Sequence, residues 1–70
     1  MIIEIGIIAG DIWQYLDEHS KCSLKDIVKA IGKDRELVLM SLGWLAREGH
    51  VIVEGSSPGY LVSLRKKNGA

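Results

Sequence analysis

The chain has a single cysteine, Cys22, so no internal disulfide can form and a reducing compartment is the default setting. It has no net charge either: nine Lys and Arg stand against nine Asp and Glu. A nucleic-acid binder usually carries a basic excess, because neutralising phosphates supplies most of its affinity. No apolar run is long enough to span a bilayer. The start, MIIEIGIIAG, is interrupted by Glu4, lacks a basic flank and makes a poor signal peptide. A cytoplasmic protein without membrane contact is the consistent expectation. Missing too are a nucleophile elbow, a phosphate-binding glycine loop and a paired-histidine motif, and the two histidines lie in separate connectors. No cofactor, metal or small-molecule ligand is implied. Seventy residues can hardly form both a core and an enclosed pocket, so the enzyme class is set aside.

What is present is apolar content, 47% of the residues, in a chain of single-domain length. A domain of this size buries only about 60% of its unfolded surface, which leaves a monomer marginally stable. More apolar surface than one small core can hide, with no net charge to oppose association, points to a homodimer. A well-filled monomer core is the alternative. The charges are unevenly placed. Residues 1–20 hold Glu4, Asp11, Asp17 and Glu18 and no Lys or Arg. Lys21, Lys25, Lys29, Lys33 and Arg35 then face only Asp26 and Asp34, and Arg65, Lys66 and Lys67 follow near the C-terminus.

Periodicity orders the chain into three helices and a hairpin. Ile5, Ile8, Ala9, Ile12 and Leu16 line one face of a first helix, opposite Glu4, Asp11, Gln14 and Glu18. Ile2, Gly6 and Trp13 widen that apolar face beyond what covers a single partner. Gly6 and Gly10 each cost a helix about 1 kcal/mol relative to Ala, which is tolerable where something approaches the backbone closely. The visitor is either the domain's own third helix or the first helix of a second subunit. His19 to Cys22 is a connector, with a minimal strand expected just before Ser23. A lone His19 without ligand-spaced neighbours is a solvent-exposed side chain rather than a metal ligand.

Ser23 caps a second helix, with Asp26 completing an approximate capping box, and Leu24, Ile27, Val28 and Ile31 give it one buried face. Gly32 ends it. Asp34 is positioned to cap a third helix that runs to about Glu48, with Val38, Ser41, Leu42 and Leu45 inward and Gly49 as the stop. Two β-rich runs around Gly55–Gly59 then form a hairpin. Alternation turns Val51, Val53, Tyr60, Val62 and Leu64 toward the helices, and Ile52 and Leu61 away. The reading is an α+β winged helix-turn-helix domain over residues 1–65, followed by a flexible basic tail over 66–70.

The surface gives a divided message. Lys21, Lys25, Lys29 and Lys33 recur every fourth residue and make a basic stripe, which either meets phosphates or is simply the solvated face. Arg35 stands at the end of the third helix that usually meets DNA, beside Glu36, which would repel phosphate. The outward arc of that helix holds Glu36, Met40, Gly43, Trp44 and Arg47, poor in the Arg, Lys, Asn and Gln that read base edges. Exposed Met40 and Trp44 suit a protein surface better, unless Trp44 folds back over its own domain edge. The wing tip carries no Arg or Lys.

Three pieces, IGIIAGDIW (Ile5–Trp13), SLKDIVKAIG (Ser23–Gly32) and LGWLAREGHV (Leu42–Val51), resemble a family of small stand-alone winged helix-turn-helix proteins of uncharacterised function. The resemblance implies a winged-helix fold and, by analogy, transcription-associated binding of double-stranded DNA; it supplies no site residues. The expectation drawn here is a dimeric DNA-binding regulator that works mainly through phosphate contacts. Lys25, Lys29, Lys33, Arg35, Arg65, Lys66 and Lys67 are the candidate DNA contacts. Gly6, Gly10, Trp13, Met40 and Trp44 are the candidate interface. A protein-interaction winged helix without DNA binding is the alternative.

Overall fold

The structure, a computed structural model, describes residues 2–55 and 59–65. Its elements run α1 (Ile2–His19), β1 (Cys22–Ser23), α2 (Leu24–Ile31), α3 (Arg35–Arg47), β2 (Val51–Gly55) and β3 (Tyr60–Leu64). The strands form one antiparallel sheet in the order β1-β3-β2, so the last strand lies in the middle. Three helices with a hairpin wing is the winged helix-turn-helix plan that the patterning predicts. The expected minimal strand before Ser23 is present: Cys22 and Ser23 pair with Val62 and Leu61.

Local chemistry sets the helix boundaries. α1 stops at Ser20, whose positive φ of 66° turns the chain while its N–H donates to the Leu16 carbonyl at 2.8 Å. The Ser23 hydroxyl accepts from the Asp26 N–H at 3.1 Å and caps α2. Gly32, at φ 69°, closes that helix in the left-handed conformation glycine adopts without Cβ strain. The expected carboxylate cap of α3 does not form. Asp34 occupies the cap position, but its side chain makes no cap hydrogen bond. The tight turn from Gly32 leaves it at φ −53°, ψ 127°, off the extended geometry (φ −75°, ψ 152°) that aims the Ser23 oxygen. At the other end Gly49 takes φ 80°, and the His50 N–H returns to the Leu45 carbonyl at 2.9 Å.

The core draws on every layer. Ile8, Ala9, Ile12 and Leu16 of α1 meet Ile27 of α2, Val38, Leu42 and Leu45 of α3, and Val51 and Val62 of the sheet. Ile12, Ile27, Val38 and Val62 are wholly buried, each contributing about 1.5–3 kcal/mol. Ser41 is buried with them at little cost, because its hydroxyl donates to the Leu37 carbonyl at 2.7 Å.

Two expectations about facing need correction. Val53 and Tyr60 do not pack against the helices; they are 42% and 54% exposed. Val53 pairs with the buried Val62, but it lies on the edge strand whereas Val62 is on the central one. Tyr60 sits at the tip end of the hairpin, opposite Gly55. On α1, one of the two open alternatives closes. A Cβ built at Gly6 or Gly10 would meet nothing within 4 Å, so the domain's own third helix is not what approaches them.

Candidate nucleic-acid interface

The N-terminal turns of α2 and α3 and the start of β3 enclose an open groove of about 640 Å³. Ser23, Leu24 and Lys25 form one wall, Arg35 another, and Tyr60 and Leu61 the third. This placement follows from the sheet order: β1 holds the start of α2 against the middle strand, and the turn at Gly32 brings back the start of α3. Both helices direct the positive end of their dipoles toward this region. A flexible ammonium, a guanidinium fork and an exposed aromatic ring share one mouth, a set able to hold a phosphate beside an apolar group.

Lys29 and Lys33 are exposed and continue the line of Lys25 along α2 into the turn. Among the described residues no ion pair engages Lys25, Lys29, Lys33 or Arg35. Lys21 differs from the rest of the stripe. Its ammonium reaches across the sheet to the Glu54 carboxylate at 3.2 Å, both side chains about half exposed, which takes it out of the free set. Asp26, Asp34 and Glu36 lie close in sequence to these cations, so the local field is mixed rather than strongly positive.

The other candidates lie elsewhere. Arg65 is at the base of the hairpin, where its N–H donates to the His50 carbonyl at 2.9 Å and its guanidinium lies beside Gly49. That is the opposite end of α3 from Arg35, about 18 Å along the axis. Lys66 and Lys67 fall outside the described residues. Met40 and Trp44 are 43% and 48% exposed on the outer face of α3, and Trp44 leans toward His50 with ring centres 6.4 Å apart. Gly6, Gly10 and Trp13 are exposed on α1, away from the groove. Of the groove's lining only Lys25 and Arg35 are candidates from the sequence; strand alternation turns Tyr60 inward and Leu61 away from the helices, so sequence reasoning misses both.

Catalytic chemistry gains nothing from the geometry. Burial pushes the Cys22 thiol above its ordinary 9.0, more than the influence of the Tyr15 hydroxyl lowers it, and the Asp26 charge adds to the rise. A neutral thiol of this kind is a poor nucleophile. Among the described residues no group of three or more His, Cys, Asp or Glu is placed to hold a metal ion. No helix there is long and apolar enough to cross a membrane.

A family model described as a winged helix-turn-helix domain, DUF2582, matches residues 2–64. The chain belongs to that family. It is 31% identical to the uncharacterised protein MJ1608 of Methanocaldococcus jannaschii, over 89% of this chain and 91% of that one. Two solved structures share the fold of this DUF2582 domain. The solution structure of BT2368 from Bacteroides thetaiotaomicron has a TM-score of 0.76 at 26% identity, covering 87% of this chain and 74% of the other. The Zα domain of Carassius auratus PKZ, solved in complex with Z-DNA, has a TM-score of 0.77 at 24% identity, covering 87% and 97%.

Proposed function

We propose that this chain is a DNA-binding protein of the transcription-regulator type, cytoplasmic and homodimeric, that holds duplex DNA mainly through its phosphates. The observation that carries the reading is the groove where Lys25 and Arg35 meet at two helix N-termini, neither paired with a described residue. Lys29 and Lys33 extend the cationic line, and Arg65, at the base of the hairpin, adds backbone contacts together with Lys66 and Lys67. The winged-helix family supports a nucleic-acid ligand, and so does a structural neighbour that seats Z-DNA. Phosphate contacts position a protein without reading sequence, which suits a third helix whose outer face offers few base-reading side chains.

NMR titration with a mixed-sequence duplex and with an alternating CG duplex tests the proposal. Shifts concentrated in the amides of Ser23–Lys29, Lys33–Glu36 and Tyr60–Leu61, with a second set at residues 65–67, are the expected result. Unchanged spectra with both duplexes at low ionic strength would contradict it. A second reading, a protein-interaction winged helix, is favoured by one observation: Met40 and Trp44 stand half exposed where a DNA reader would carry polar groups.

A further inference from the structure

Among the described residues the most exposed apolar side chains lie together on α1. Ile2, Ile3 and Ile7 are 84%, 77% and 60% exposed, and Trp13 is 42% exposed. At 3.6 residues per turn they share one arc with Gly6 and Gly10, turned away from Ile8, Ile12 and Leu16 in the core. Gln14 and Asp17 make that arc polar only in the second half of the helix. The four large side chains together expose on the order of 500 Å² of apolar surface, in the upper part of the range for the largest patch on a monomer. Against a total accessible surface of 4993 Å², that is about a tenth, the share a specific interface takes from a small protein.

We infer that this face joins two copies of the chain, their α1 helices packed antiparallel across Gly6 and Gly10. The inference deepens the dimeric part of the proposal above and rests on none of its DNA contacts. Two such faces bury on the order of 1,000 Å², the least a specific interface requires. A second copy matches this surface by symmetry: when Gly6 lies against the partner's Gly10, Ile3 lies against the partner's Trp13. With nothing within 4 Å of either glycine's missing Cβ, the backbones can approach closely there.

The place of Asp17 favours the antiparallel orientation, and the sign of the charges on α1 bears on the occupant. Parallel packing would set Glu4, Asp11 and Asp17 each level with its own copy. Antiparallel packing moves Asp17 away from its own copy and brings it near the positive end of the partner helix, with Glu4 and the partner's Asp11 at similar heights on the flank of the contact. The same acids disfavour an anionic membrane surface, since helices that lie on such lipid carry Lys and Arg beside the apolar face, and α1 has neither.

Sedimentation velocity on the full chain, with far-UV circular dichroism on each sample, tests this. The unsubstituted chain and Trp44→Ala are expected to sediment as dimers. Ile3→Glu/Ile7→Glu is expected to raise the dimer dissociation constant at least a hundredfold while keeping its helical spectrum. A monomer at all concentrations up to the millimolar, or an unaffected double variant, overturns the inference. If the double variant does not fold, Trp44→Phe decides, because Trp13 is then the only indole. A blue shift of its emission on dimerisation supports the contact, and concentration-independent emission contradicts it.

Discussion

Lys25, in the first turn of α2, and Arg35, the first residue of α3, border the same groove although a helix and a turn separate them along the chain. Each leaves a described-residue ion pair unmade, whereas Lys21, at the head of the same lysine series, is held by Glu54. Alanine at Lys25 or at Arg35 is therefore expected to weaken binding to every duplex by a similar factor and to lower the salt slope by about one. Lys21→Ala should change it less. Fluorescence anisotropy with unrelated duplexes checks both, and a loss confined to one sequence would point to base reading instead.

The two helix caps should respond differently to the same substitution. Ser23→Ala removes a formed bond to the Asp26 N–H and is expected to cost about 1 kcal/mol. Asp34→Ala removes a side chain that makes no cap bond, and its cost should stay below about 0.5 kcal/mol. Urea unfolding of the two variants side by side measures the difference. An equal cost at both positions would mean that the Asp34 carboxylate caps α3 in solution.

Glycine substitutions should differ in sign. Gly32 holds φ 69°, where a Cβ is strained, so Gly32→Ala is expected to destabilise by about 1 kcal/mol. Gly10 lies inside α1 in open space, so in the monomer Gly10→Ala is expected to stabilise by about 0.5–1 kcal/mol through helix propensity. Thermal melts at high dilution, where a dimer would be dissociated, isolate that gain. A loss at Gly10 under those conditions would mean that the domain itself crowds the glycine.

The thiol carries a pH prediction. Burial raises the Cys22 pKa in the folded chain above its ordinary 9.0, so the unfolded chain releases that proton first. Stability from this group is thus fully present below about pH 9 and declines as pH rises from there through the higher folded value. Denaturation midpoints on the alkaline side should fall less for Cys22→Ala than for the unsubstituted chain. A thiol that reacts with a disulfide reagent at the rate of a free peptide thiol at neutral pH would contradict its burial.

Much of this fold is legible in the residues because helix faces and caps are local chemistry. Val38, Ser41, Leu42 and Leu45 recur at helical spacing and are the buried side of α3; Ser23 opens α2 with its hydroxyl and Gly32 closes it with a left-handed backbone. What depends on long-range pairing is not legible. Alternation puts Val53 on the face of Val62, but only the sheet order makes one an edge residue and the other central. The groove is hidden for the same reason, since its walls come from three separated segments. The outward isoleucines did leave a trace: five Ile among the first eight residues cannot all lie on one helical stripe. Periodicity alone does not say how many stay outside.

The most direct test of DNA binding through phosphates is the salt dependence of affinity for a random duplex. With Lys25, Lys29, Lys33 and Arg35 each displacing a counterion, log K should fall against log salt with a slope of at least about −3 to −4, steeper with Arg65, Lys66 and Lys67 engaged, weakening binding about a hundredfold or more between about 50 and 200 mM. Binding that does not respond to salt, or none at low ionic strength, would contradict the proposal and leave the protein-interaction reading in its place.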